Sequence, residues 1–164
     1  MKPFIRKILN RNGGTDETSG HFTLGKRGEE LAVRFLKLQK YRIVVTNFMA
    51  PIGYSLRGRQ LTGEIDIIAY DESSRPFILA FIEVKTRSST EIAAPEAAVD
   101  IRKQRHLTKS AQVYRRLMNL TDEPYRYDVV SIVITRDGQS ALNLLRGYFS
   151  EQRFRRSRWH LNQI

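Results

Sequence analysis

The chain contains no cysteine, which excludes a disulfide framework and every thiolate metal site. No apolar run approaches the roughly 20 residues of a membrane span. The N-terminus is basic and apolar (Lys2, Phe4, Ile5, Arg6, Lys7, Ile8, Leu9) but has no long hydrophobic segment and no cleavage-like site, so a signal peptide is not expected. A cytoplasmic location follows as the expectation, with no membrane partner. Histidine is scarce: His21, His106 and His160 stand in no shared motif, and none is given a catalytic or metal role. There is no glycine-rich phosphate loop, no nucleophile elbow and no internal repeat. Acids are outnumbered, 17 against 28 Lys and Arg, for a net charge of +11. The excess sits at the ends. Residues 1–28 hold six basic residues and two acids, residues 146–164 five arginines and one acid, and the 117 residues between carry only +3. A nearly neutral body with basic ends suits a polyanion, because phosphates reward Lys and Arg through counterion release. Nucleic acid is the favoured partner; acidic membrane or ribosomal RNA satisfies the same charge argument.

What the sequence does hold is a dense stretch from Gly63 to Arg87. Two Ile-, Phe- and Val-rich runs, Gly63–Tyr70 and Phe77–Arg87, flank a polar turn, Asp71–Pro76, and predict a β-hairpin. By alternation Glu64 and Asp66 share one face and Ile65 and Ile67 the other; Glu83 and Lys85 share a face opposite Ile82 and Val84. Antiparallel pairing gathers three carboxylates and one amine at the hairpin's open end. Carboxylates crowded in a half-buried place need a proton, a cation or a metal. Oxygen ligands without Cys or His favour Mg²⁺ or Mn²⁺ over zinc. Asp66, Glu83 and Lys85 match the PD-(D/E)xK nuclease pattern, with the lysine placed to assist an attacking water or a charged transition state. An exposed ion-pair cluster on a sheet face is the plainer alternative for so short a pattern.

Length and spacing predict one domain over residues 25–146, a basic, partly disordered segment over 1–24 and a basic tail over 147–164. Gly25–Gln39 reads as a helix, with Leu31, Phe35 and Leu38 at helical spacing; Glu29 and Glu30 suit its first turns. Ile43–Thr46 reads as a strand, and Phe48–Thr62, with Pro51, Gly53 and Gly58, as a long loop. After the hairpin a helix is expected to start near Pro95 and run to about Asn119, with Ala97, Ile101, Leu107, Ala111, Tyr114 and Met118 on its core side. Arg102, Arg105, Lys109 and Arg116 fall opposite that side, while Lys103 borders it and reaches toward the sheet. Arg126–Ile134 predicts a strand and Ala141–Leu145 a short final one. Arg57, Arg59, Arg87, Arg102, Arg155 and Arg156 are the candidate phosphate contacts, with a solvated surface as the alternative.

The ordered matches Gly25-x-x-Gly28-Glu29-x-x-Ala32, Tyr41, Asn47, Gly63–Ile68, Phe81–Arg87, Pro95, Ala98-Val99, Lys103 and Arg126–Val130 resemble the YraN-like family of endonuclease-like proteins. That resemblance implies an α/β restriction-endonuclease-like fold of three layers, with a mixed sheet flanked by helices in the order α-β-β-β-α-β. It is the fold of the archaeal Holliday-junction resolvases. The resemblance also implies that Asp66, Glu83 and the Val84 carbonyl hold Mg²⁺ (or Mn²⁺), with Glu29 near the same metal. Lys85 would assist the attacking water, and Glu64 and Lys103 would act in support. The expected activity is DNA phosphodiester cleavage, with branched or recombination intermediates as candidate substrates; a nucleic-acid-binding module on a nuclease fold is the alternative. Resolving a symmetric junction requires a homodimer, though no sequence feature demands one. The chain departs from the family's usual pattern in a longer connection between Asn47 and Gly63 and in its arginine-rich ending.

Overall fold

The two runs of the expected hairpin do form neighbouring antiparallel strands, paired from Ile67–Ile82 to Asp71–Ile78, and the rest of the chain is laid on them. The computed structural model describes residues 19–73, 75–88 and 99–155. Helix α1 (Ser19–Leu38) precedes three antiparallel strands, β1 (Tyr41–Tyr54), β2 (Gln60–Asp71) and β3 (Ile78–Ser88). Helix α2 (Ile101–Met118) carries the chain across to β4 (Tyr125–Ile134), parallel to β3. Strand β5 (Ser140–Phe149) returns antiparallel to β4, and a single turn, α3 (Gln152–Arg155), follows. The order across the mixed sheet is β1-β2-β3-β4-β5. A parallel β3–β4 pair needs a long crossover, and α2 supplies it.

The two helices cover opposite faces. Leu107, Ala111 and Tyr114 of α2 are buried against Phe48, Ile65, Ile68, Phe81, Tyr127 and Phe149. Ala32 and Leu36 of α1 are buried against Tyr41, Ile67, Ala69, Ile82 and Val130. Burying each large apolar side chain stabilises by roughly 1.5–3 kcal/mol. Edge-to-face contacts of Tyr114 with Phe48 (5.1 Å) and Phe81 (5.9 Å), and the Tyr127–Phe149 stack (4.5 Å), add directionality on the α2 side. The result is the three-layer α/β arrangement expected, with a fifth strand. No helix among the described residues is long and apolar enough to cross a membrane.

Several boundaries depart from the spacing. Phe48–Thr62 is not a loop: β1 continues to Tyr54, with Phe48, Ala50 and Ile52 buried, and only a turn at 55–59 is irregular. Pro51 and Gly53 obscure that alternation, but β1 is an edge strand, where a missing donor is tolerated, and a register shift falls between Pro51 and Gly53. Helix α2 begins at Ile101, because the Asp100 side chain accepts the Arg102 N–H at 2.7 Å as an N-cap; Ile101 is half exposed, and Pro95 and Ala97 lie outside the described residues. Strand β5 runs ten residues, to Phe149. Finally, Ile65 and Ile67 do not share a face. Ile65 packs under α2 and Ile67 under α1, so the alternation changes phase at Asp66. Asn47, on the same level of β1, has φ +53 and breaks the partner strand's alternation at the same place.

Candidate active site

That break in phase builds the site. Pairing between β2 and β3 stops at Ile67–Ile82, so the two strands part just where Asp66 and Glu83 begin their charged ends. Instead of a ladder bond, the Val84 N–H donates to the Asp66 carboxylate at 2.7 Å. Asp66 is thereby fixed across the mouth of the gap. Glu83, on the α2 side of β3, is 2 % exposed and lies between two amines: Lys85 Nζ is 3.2 Å from its Oε1, and Lys103 Nζ from α2 is 3.2 Å from its Oε2. The Lys103 approach is off line for a hydrogen bond, so Glu83 Oε2 stays buried without such a partner. Lys103 thus reaches the sheet, as its place beside the apolar stripe predicts.

Electrostatics register the crowding. Burial first, and then the Glu83 carboxylate, push the Asp66 carboxyl up to about 7 from 3.8; the Val84 N–H and Lys103 pull the other way, and Glu64 adds to the rise. Burial on its own lowers the Lys103 ammonium, but Glu83, Asp66 and Glu64 outweigh it and hold it above its usual value. A carboxyl raised on folding stabilises fully below its unfolded value, near 4, and loses that contribution as pH rises through about 7. Metal-free protein should therefore melt progressively lower from pH 5 to 8, and Asp66→Asn should flatten that trend. A melting series in chelator checks both, and identical pH slopes for the two proteins would contradict it.

The donor set suits one hard cation. Two carboxylates meet at a half-buried gap, and one oxygen lacks a hydrogen-bond donor. Among the described residues no three acidic or histidine side chains form a ligand cluster. Mg²⁺ commonly uses one or two carboxylates, with water and substrate phosphate completing its shell. Glu29 stands at the margin. Asn47 Nδ2 donates to Glu29 Oε2 at 2.9 Å, linking α1 to the level of Asp66. Glu64 is half-buried on β2, beyond Asp66. Of the candidate phosphate contacts, Arg57 and Arg59 are exposed on the β1–β2 turn, Arg102 is exposed on α2, and Arg87 is half-buried at the end of β3. The side chain of Arg155, and the whole of Arg156, lie outside the described residues.

Residues 28–132, which take in the second half of α1, the residues of the acidic corner and most of β4, match the model of the Uncharacterised protein family UPF0102. The chain belongs to the UPF0102 family. A UPF0102 protein from Solibacter usitatus is 37 % identical over 125 residues, covering 76 % of this chain and 84 % of the relative. One from Porphyromonas gingivalis is 39 % identical over 118 residues (72 % and 76 %), and one from Koribacter versatilis 40 % over 116 (71 % and 72 %). The YraN-like resemblance read from the motifs is borne out.

The UPF0102 glycines do structural work at this site. A Cβ on Gly28 would lie 1.8 Å from Thr86 Oγ1 and 2.8 Å from Thr86 Cβ, so α1 touches β3 there, one residue before Glu29. A Cβ on Gly63 would lie 2.3 Å from Ser110 Oγ, which sets how closely α2, and so Lys103, approaches the sheet. Gly28→Ala should cost about 1–3 kcal/mol by overpacking, several degrees in Tm, and Thr86→Ala should restore part of it. An unchanged melt for Gly28→Ala would mean a looser contact than this. No sequence motif marks Asn47 as the holder of Glu29; its backbone, at φ +53, is a conformation that asparagine tolerates better than most residues.

Other motif residues of the UPF0102 chain gather elsewhere. Arg126 Nε donates to both oxygens of Asp128 (2.9 and 3.1 Å), and its terminal nitrogen bonds Tyr41 Oη and Asp71. Tyr41 Oη donates to Asp128 Oδ2 at 2.9 Å, the Gly147 N–H to Asp128 Oδ1 at 2.9 Å. Asp71 and Asp128 are buried, and the cluster sits at the end of β2 away from Asp66. It pins β1, β2, β4 and β5 together and takes no part in the acidic corner.

Proposed function

We propose that this protein is a metal-dependent endonuclease that hydrolyses DNA phosphodiester bonds in the cytoplasm, with branched or recombination intermediates as its favoured substrates. The observation that carries the reading is the pairing of Asp66 with the buried Glu83 in the gap between β2 and β3, with Lys85 and Lys103 both on Glu83. A carboxyl raised to about 7 by burial and then by a second carboxylate supports the same reading, as strongly shifted groups cluster at functional sites. A bound Mg²⁺ or Mn²⁺ would supply positive charge against the phosphate and make a nucleophile available at neutral pH. Asp66, fixed by the Val84 N–H, and Glu83 would hold it with the Val84 carbonyl. Lys85 places an ammonium where charge develops as water oxygen bonds to phosphorus and the opposite P–O bond breaks. Lys103 holds Glu83 in place; Glu29, steadied by Asn47, completes the rim. Helix α2 supports a polyanionic substrate, since its 18 residues hold no acid and expose Arg102, Arg105, Lys109 and Arg116. Burial, then Arg102, Lys109 and Lys103, lowers His106, the mark of a positive surface, against a smaller opposing pull from Asp100. Paired cuts in a symmetric junction would be made by a homodimer.

A second reading, a non-catalytic nucleic-acid-binding module, is favoured by one observation: both Glu83 oxygens already have a lysine at 3.2 Å, a corner neutralised without metal. Labelled four-way junction, flap, single-stranded and linear duplex DNA, each with Mg²⁺, Mn²⁺ or chelator, separates the two. Cleavage only with metal is expected. Binding without cleavage in either metal would move the assignment to the binding module.

A further inference from the structure

Beyond the gap, β2 loses its β3 neighbour, so Gln60–Asp66 pair only with β1 in a two-stranded ribbon. Helix α2 covers one side of that ribbon as far as Ile52 and Gly63, both buried. The turn at its end is exposed from Leu56 to Arg59, yet it is firmly closed. Ser55 N–H donates to the Arg59 carbonyl at 2.8 Å, Gly58 N–H to the Ser55 carbonyl at 2.9 Å, and Arg59 N–H to Ser55 Oγ at 3.1 Å. Gly58, at φ +73, makes the bend. On this turn Leu56 is fully and Tyr54 72 % exposed, and Arg57 and Arg59, which follow Leu56, have no partner among the described residues. From Tyr41 to Gly63 the chain contains no acid.

A single exposed leucine is ordinary. A leucine and a tyrosine held out on a closed turn, beside two arginines and within the acid-free stretch Tyr41–Gly63, are complementary to one partner. We propose that the Tyr54–Arg59 turn is a nucleic-acid-gripping arm. Arg57 and Arg59 lie on backbone phosphates, and Leu56 and Tyr54 press on bases where the stack is already broken. A two-stranded ribbon has the width of a DNA groove, and apolar wedges enter at weakened base steps. Nucleic acid with an interrupted stack is therefore the preferred partner, which narrows the substrate class and rests on the nuclease reading above. Gln60 lies six positions before Asp66. At about 3.3 Å per residue the arm engages roughly 20 Å from the acidic corner, or about six nucleotides at 3.4 Å each.

The test is fluorescence anisotropy of the full chain in chelator, across a salt series, on a bubble-containing duplex and a continuous duplex of the same length. Arg57→Ala/Arg59→Ala should weaken binding to both DNAs and reduce the slope of log affinity against log salt by about 1.8, roughly 0.9 per phosphate. Tyr54→Ala/Leu56→Ala should lose about tenfold on the bubble alone, with the salt slope and Tm unchanged, one stacked base's worth of binding. Wild-type binding by the arginine pair overturns the arm, and a bubble affinity unchanged in the Tyr54/Leu56 pair overturns the wedge; either leaves the nuclease reading standing. Wild-type protein that binds neither DNA overturns that reading and the arm with it.

Discussion

Asp66→Ala is expected to lower metal-dependent DNA cleavage by at least about a thousand-fold, the equivalent of roughly 4 kcal/mol of transition-state stabilisation. The physical reason lies in the gap between β2 and β3. At the acidic corner the orientation of Asp66 is set by a backbone donor, the Val84 N–H at 2.7 Å, and its carboxyl feels the Glu83 charge across the parted strands. Removing it leaves Glu83 with its two lysines and no second carboxylate to share a cation. DNA binding measured in chelator should stay the same or tighten, because a negative charge has been taken from beside the phosphate path. Folding should survive, and in metal-free solution above about pH 7 the variant should melt no lower than wild type, since the carboxyl it lacks is one whose ionisation folding opposes. Equal cleavage rates for purified wild type and Asp66→Ala would remove this site from the reaction.

The largest effect on stability is expected at the opposite end of the sheet. Arg126→Ala leaves Asp71 and Asp128 buried without their shared cation and should cost about 3–5 kcal/mol, roughly 6–20 °C in Tm for a chain of this size. Burial pushes the Asp71 carboxyl up, but Ser73 and Arg126 outweigh it and hold it below its usual range. Its contribution is thus present above the unfolded value and lost as pH falls, so the deficit of Arg126→Ala should shrink in acid. Arg126→Lys should not rescue, because a single ammonium cannot bond both oxygens of Asp128 while reaching Tyr41 and Asp71. Cleavage per folded molecule should be preserved, since nothing in this cluster touches the acidic corner. A wild-type melting curve for Arg126→Ala would mean the network is solvated and idle.

How much of this is legible in the sequence depends on how far apart the partners lie. The central hairpin is written in local composition, and the gathering of its charges at the open end follows from antiparallel order. Lys103 is readable too, because a lysine at the border of an apolar stripe has one direction to go. The strand nature of Phe48–Tyr54 is masked by Pro51 and Gly53, whose edge-strand setting is known only once the sheet is assembled. The change of phase at Asp66 and Asn47 cannot be read from periodicity, since it is the periodicity that fails there. The Tyr41–Asp71–Arg126–Asp128 cluster joins residues from three strands, and nothing local in its arginine or its tyrosine distinguishes a buried network from a surface pair.

The central claim is that Asp66 and Glu83 together hold a divalent cation, and it can be tested without knowing the substrate. Calorimetric titration of Mn²⁺ into the metal-free chain at pH 6, 7 and 8 should give one saturable site whose affinity rises with pH, because Mn²⁺ displaces the proton that Asp66 holds up to about 7. Asp66→Ala and Glu83→Gln should each abolish it. No saturable uptake by the wild type, or uptake that survives in Asp66→Ala, would contradict the account.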